Sequence, residues 1–107
     1  MPAITLAQAF GSNASISGGV LSIPLADLAS VGLSKASPSA SEIFTALILR
    51  IRAAQGATTQ EDIEVGIFVG DPFLTISRND TQLERQFPVS VYTPLNIPVL
   101  DPDDVIG

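Results

Sequence analysis

Residues 42–55 read EIFTALILRIRAAQ, and whether they form a helix or a strand decides the fold. Ile43, Phe44, Leu47, Ile48 and Ile51 share one arc at a period of 3.6 residues, while Glu42, Thr45, Leu49, Arg50 and Arg52 fall outside it. Ser39 and Glu42 have the spacing of a capping box, in which the hydroxyl accepts from a backbone N–H and the carboxylate reaches back to the cap. Gly56 stands where a glycine closes a helix. The rival reading is a strand, because Leu49 to Ala53 alternates apolar and polar. The run is much longer than the roughly five or six residues of an average strand, so the pattern predicts a helix over residues 40–55.

Upstream, residues 3–10 (AITLAQAF) put Ile4, Leu6 and Phe10 on one side and Thr5 and Ala7 on the other, with Gln8 as the exception. That alternation predicts a half-buried strand. GSNAS follows as a loop. A second strand is expected within residues 16–25, with Leu21, Ile23 and Leu25 in register, Gly18-Gly19 as a bulge or turn, and Pro24 at its edge or end. In residues 25–32 Leu25, Leu28 and Val31 share a helical face that Gly32 terminates. Residues 33–41, a Ser-rich stretch around Pro38, lead into the main helix.

Downstream, residues 57–63 (ATTQEDI) read as a polar connector, and Val65, Ile67 and Val69 alternate as a strand up to a bend at Gly70-Asp71-Pro72. FLTISR and the segment from Thr81 to Thr93 then form a hairpin around Asn79-Asp80, with Leu83, Phe87, Val89 and Val91 together on the returning strand. If Arg78 faces Thr81, Ile76 faces Leu83 and Leu74 faces Arg85, so the apolar sets of both strands share a face. Residues 94–107 carry Pro94, Pro98 and Pro102, which exclude a helix or a central strand and leave an extended arm.

The expected fold is α+β: an antiparallel sheet of about four to five strands with one main helix packed on one face. The helix face would meet Ile76, Leu83, Phe87, Val89 and Val91. Residues 1–93 form a single compact domain and residues 94–107 the arm. An all-β sandwich is the alternative if residues 43–53 are a strand.

Composition narrows function mostly by exclusion. The 107 residues include 11 acidic and 5 basic side chains, for a net charge of −6, and no His, Cys or Trp. Cys/His zinc sites, thiol chemistry, disulfides and His-based acid–base schemes are thereby removed. Nucleic acid is not an expected partner, because sequence-independent binding depends on neutralising phosphates. Residues 1–26 carry no charged side chain, yet Gln8, Asn13, Pro24 and several Ser and Gly residues break the stretch, so neither a membrane span nor a secretory signal is read there. The expected location is cytoplasmic, or within a particle assembled inside a cell.

Each candidate for chemistry has a plainer reading beside it. Asp101, Asp103 and Asp104 alternate like oxygen ligands for Ca²⁺ or Mg²⁺ but lack the glycine and distal Glu of an EF-hand, and read as a solvated tail. Glu61, Asp62 and Glu64, with Asp71 beyond, pair carboxylates in a polar connector, where solvent exposure is the ordinary state. Arg50, Arg52, Arg78 and Arg85 would form an anion site if they converged; pairing with the chain's own acids is the default. Gly18-Gly19 and Gly66-x-x-x-Gly70 match no phosphate-binding loop. Ser34 and Ser37 flank Lys35, the single Lys, as a Ser-rich loop would by chance, and Tyr92 suits sheet closure. No catalytic residue, metal or cofactor is expected.

Charged residues are only 15% of the chain, against roughly 25% in an average domain. A small domain has much surface for its volume and should be more polar than average, so burial against other subunits is one explanation. Leu95, Ile97, Val99, Leu100, Val105 and Ile106 make the arm too apolar to float free. The expectation is a non-enzymatic assembly protein, self-associating or binding another protein, with virion and tail subunits as analogues of fold class only. The alternative is a small-ligand or peptide-binding module. A third possibility, an enzyme built from carboxylates and a metal, has no recognisable constellation behind it.

Overall fold

Helix α2 spans Ala40–Gln55, within a computed structural model that describes residues 4–55, 66–79, 81–95 and 98–105. Its start follows the anticipated capping box. Glu42 N–H donates to Ser39 Oγ (3.1 Å), and Ser39 N–H donates to Glu42 Oε1 (2.9 Å), so two backbone donors at the first turn find partners. Lys35 Nζ lies 2.6 Å from Glu42 Oε2. The Lys35 hydrogen bond, followed by those from Ser39, holds the Glu42 carboxyl at about 2, below its ordinary 4.5. Gly56, the expected cap at the other end, lies outside the described residues.

The remaining elements are α1 (Leu6–Phe10), β1 (Ser15–Ser17), β2 (Val20–Ser22), a 3₁₀ helix (Leu25–Val31), then after α2 the strands β3 (Gly66–Val69), β4 (Phe73–Ser77), β5 (Gln82–Gln86) and β6 (Val89–Tyr92), and a 3₁₀ turn (Pro102–Asp104). The fold is α+β, with antiparallel strands and one main helix. The strands divide among three two-stranded ladders, β1–β2, β3–β6 and β4–β5, where the sequence suggested one sheet of four to five. With residues 40–55 helical, the all-β alternative does not apply.

The first segment is helical, not a strand. Thr5 Oγ1 accepts from Gln8 N–H (3.2 Å) and Gln8 Oε1 accepts from Thr5 N–H (2.9 Å), a second capping box. Gln8, the residue that broke the alternation, supplies half of this cap. The expected strand over residues 16–25 is likewise a hairpin, with Ile16 facing Leu21 across it. Gly18 and Gly19 turn it with φ of 56° and 76°, values that an L side chain rarely adopts. Pro24 precedes the 3₁₀ helix, which carries fully buried Leu28 and ends at left-handed Gly32, as its spacing indicated.

Beyond α2 the strands form one long ribbon with a break in it. β3 pairs β6 with Val69 opposite Val89, and the ladder resumes beyond the break with Phe73 opposite Gln86. Three residues, Gly70, Asp71 and Pro72, interrupt one side against two, Phe87 and Pro88, on the other. The extra residue and the two prolines end the pairing locally, and Gly70 N–H donates to the Pro88 carbonyl (2.8 Å) across the gap. The expected continuous strand from Thr81 to Thr93 is therefore two strands. The hairpin register is as its arithmetic required: Ile76 faces Leu83 and Leu74 faces Arg85. Arg78 and Asn79 take positive φ, and Thr81 N–H closes the turn on the Arg78 carbonyl; Asp80 lies outside the described residues.

α2 sits between two partners. One side meets α1 and the 3₁₀ helix, where Ala46 is buried, and its C-terminal turn meets β3, where Gln55 is buried. The Gln55 amide donates from Nε2 to the Val69 carbonyl (2.9 Å) and accepts at Oε1 from Val69 N–H (2.8 Å). Of the hairpin residues expected against the helix arc, Phe87 is half-buried and lies beside Arg52 of the helix, and the others are exposed. Phe44 is 65% exposed, and Ile76, Leu83, Val89 and Val91 are all exposed; Ile43, Leu47, Ile48 and Ile51 are half-buried. Among the described residues the buried apolar set is small: Ile4, Ala9, Leu28, Ala46 and Val69.

Two outcomes follow. Gln55→Leu leaves both backbone groups of buried Val69 without their partner, and unfolding in denaturant is expected to show a loss of about 2–4 kcal/mol. A loss under about 0.5 kcal/mol, the size of a neutral surface change, refutes the clasp. For Glu42, the depressed carboxyl pKa stabilises the fold above about 4.5, and that contribution disappears as pH falls towards 2. Thermal melts followed by circular dichroism should show wild type more stable than Glu42→Gln at pH 6, with the difference closing as the pH is lowered through this window. A pH-independent difference contradicts the ionised cap.

Candidate assembly surface

The far half of the ribbon, β4–β5, presents two unlike faces because successive side chains alternate across a strand. One face carries Leu74 and Ile76 with Leu83 and Arg85 opposite. The other carries Phe73, Thr75 and Ser77 with Gln86, Glu84 and Gln82 opposite; Gln86 also donates from Nε2 to Glu84. Phe73, Leu74 and Ile76 are 67%, 61% and 65% exposed. A two-stranded hairpin with a bare apolar face is marginal in water on its own.

Ile16, Val20 and Leu21 are exposed on β1–β2. On the C-terminal arm Leu95 is fully exposed, Val99 and Leu100 are exposed, and Val105 is half-buried. Ile97 and Ile106 lie outside the described residues. The arm is not wholly extended, since Asp101 Oδ1 accepts from Asp103 N–H (2.9 Å) and caps the turn Pro102–Asp104. Pro102 occupies the first position of that turn, where its missing N–H costs nothing. Asp101 and Asp103 are exposed.

The four candidate anion-binding arginines have separate surroundings. Arg50 donates from Nη1 to the Asp27 carbonyl (2.9 Å) and Ser30 Oγ (3.2 Å), and from Nη2 to the Ala7 carbonyl (2.9 Å). It falls outside the apolar arc yet is half-buried, with Nε lacking any partner. Arg52 holds Asp71 Oδ1 at 2.7 Å and lies 5.5 Å from the centre of the Phe87 ring. Both of its partners belong to the break in the ribbon. Arg78 is exposed in the hairpin turn and Arg85 is exposed on β5. Arg50 and Arg52 share no partner.

Asp27 extends the Arg50 cluster by accepting from Asn13 N–H (2.8 Å) and Asn13 Nδ2 (3.0 Å). A Cβ at Gly11 would fall 2.4 Å from Asp27 Cβ, and Gly11 has φ of +124°, so glycine is required where the loop closes on the 3₁₀ helix. An open groove of about 300 Å³ runs between that helix and α2, lined by Val31, Leu33, Thr45 and Leu49. Glu61, Asp62 and Glu64 lie outside the described residues, and Asp71 is taken by Arg52. Among the described residues no three carboxylates gather as metal ligands, and no helix is long and apolar enough to cross a membrane.

Sequence reading passed over two of these features. Gln55 falls on the apolar arc of α2, one turn beyond Ile51, and a polar residue there signals a buried amide that needs partners. The Arg50 contacts left no comparable mark, because their acceptors are mostly backbone carbonyls. Searches of protein families, of curated proteins and of solved structures find no match to the chain.

Arg50→Met keeps the apolar stem but removes three hydrogen bonds that join α1, the 3₁₀ helix and α2. Denaturant unfolding should show a loss of about 2 kcal/mol, with Arg50→Lys recovering only part of it, because an ammonium lacks the planar fork. Full recovery by Lys would mean that charge alone matters.

Proposed function

We propose that this protein is a non-enzymatic assembly component, a homo-oligomer or a subunit of a larger particle. Its surface carries the reading. Among the described residues Phe73, Leu74 and Ile76 are 67%, 61% and 65% exposed, Ile16 and Val20 are 66% and 60% exposed, and Leu95 is fully exposed. Apolar residues on β4–β5, on β1–β2 and on the arm account for exposed surface that an isolated monomer rarely leaves open.

In this reading residues 94–107 reach a neighbouring subunit and bury Leu95, Val99 and Leu100 there, together with Ile97, Val105 and Ile106, while the aspartates face water. The partner is a second copy or another protein, with no role for nucleic acid, cofactor or metal. The location is the cytoplasm or a particle built within a cell, and likeness to virion or tail subunits is one of fold class alone.

Light scattering coupled to size exclusion, over micromolar concentrations, should give a mass above 11.1 kDa that falls on dilution. Removing residues 94–107 should lower that mass or cause aggregation from a newly bared patch. A monomer at high micromolar concentration ends the homo-oligomer reading and removes the main support for assembly. An oligomer unaffected by the deletion removes the arm from the interface.

A further inference from the structure

The strand β4 differs from β3, the strand that α2 meets. On β3, Gln55 occupies the N–H and C=O of Val69, so a side chain takes the place of a neighbouring strand. On β4 the edge away from β5 has no neighbour among the described residues. Its sequence, Phe73-Leu74-Thr75-Ile76-Ser77, holds no charge and no proline. Proteins ordinarily blunt such an edge with Lys, Pro, a bulge or a covering segment. β5, the other edge of the hairpin, does carry Glu84 and Arg85.

We propose that β4 pairs with β4 of a second copy, antiparallel and centred on Thr75, to make the four-stranded sheet β5–β4–β4–β5. The proposal rests on the assembly reading and names its interface. A two-fold axis at Thr75 places Leu74 of each copy opposite Ile76 of the other and Phe73 opposite Ser77. Leu74, Ile76 and Leu83 of both copies then form one apolar patch on a single face. Each Arg85 lies beside its own Leu74, at opposite corners of that patch, so the two cations do not meet.

The same register brings Arg78 of one copy to the level of Pro72 in the other, next to Asp71. A second cation therefore arrives, at both ends of the pairing, beside an acid that Arg52 of its own chain already holds and whose side chain is 96% exposed. The uncharged strand lets two chains of net charge −6 approach at this edge without opposing like charges. Pairing through one self-complementary edge is the isologous arrangement typical of two-fold dimers.

The chain has no Cys, so a single introduced thiol reports only contacts between copies. Thr75 is exposed, and at the axis its two Cα atoms would stand about 4.5–5.5 Å apart, within disulfide range. Two Ser77 residues would lie about 14 Å apart along the strands, beyond that range. Under mild oxidation Thr75→Cys should become a covalent dimer while Ser77→Cys stays uncrosslinked. Ile76→Lys, at a position exposed in the single chain, should halve the mass by light scattering with an unchanged circular dichroism spectrum. Equal crosslinking at both positions, or none at Thr75, or an Ile76→Lys mass equal to wild type overturns the β4 interface. In an otherwise oligomeric protein each of these results leaves the assembly reading standing. A monomeric wild type overturns the β4 interface and the homo-oligomer reading alike.

Discussion

The amide of Gln55 holds the two halves of this molecule together. It donates to one backbone group of Val69 and accepts from the other, and Val69 is 2% exposed. Three residues earlier on the same helix, Arg52 reaches both sides of the nearby break in the ribbon through Asp71 and Phe87. From another side of the helix Arg50 ties α1 and the 3₁₀ helix. The helix thus acts as a rail with polar clamps on its flanks. A core limited to a few side chains leaves orientation poorly determined, and directional bonds that are costly to leave unmade supply what packing does not.

The break in the ribbon separates what the helix controls from what it does not. Pro72 and Pro88 remove backbone donors where the two strands would otherwise pair continuously, and the unequal number of residues shifts the strands past one another. β3–β6 lies on the helix side of the break and is clasped. β4–β5 lies beyond it, with Arg52 at the junction and its apolar face open. Beyond the break, Phe73, Leu74, Ile76 and Leu83 are exposed.

Where a signal is local, the sequence was readable. The Ser39–Glu42 box, the register of Ile76 against Leu83, and the glycine end of the 3₁₀ helix each depend on residues a few positions apart. The same logic explains α1: Thr5 and Gln8 have the spacing of a capping box, but the alternation of Ile4, Leu6 and Phe10 masked it. Other features depended on which element lies beside which. Arg50 reads as solvent-facing because its acceptors, the carbonyls of Ala7 and Asp27, have no identity in a sequence. The apolar arc of α2 reads as a buried face, yet the hairpin expected to cover it is turned away by two prolines whose effect on direction no periodicity contains. The arginines looked like a cluster by number and proved to be separate ties. Composition pointed to surplus apolar surface, and only the third dimension placed exposed Phe73, Leu74, Ile76 and Leu83 on β4–β5.

Charge placement explains why an acidic chain with so few charged residues has this surface in particular. Of the five cations, Lys35, Arg50 and Arg52 are engaged within the fold. The other two, Arg78 and Arg85, both lie between residues 73 and 86, where the acids are Asp80 and Glu84. That stretch is neutral by count, so the whole net charge of −6 belongs to the rest of the chain. Screening at physiological salt confines such charges to about 8 Å, which makes the local balance the one that matters when two copies approach. Body against body opposes negative surfaces, whereas ribbon against ribbon opposes neutral ones that carry exposed Leu74 and Ile76. In the proposed assembly, repulsion elsewhere and apolar surface here both favour contact through the part of the ribbon beyond the break.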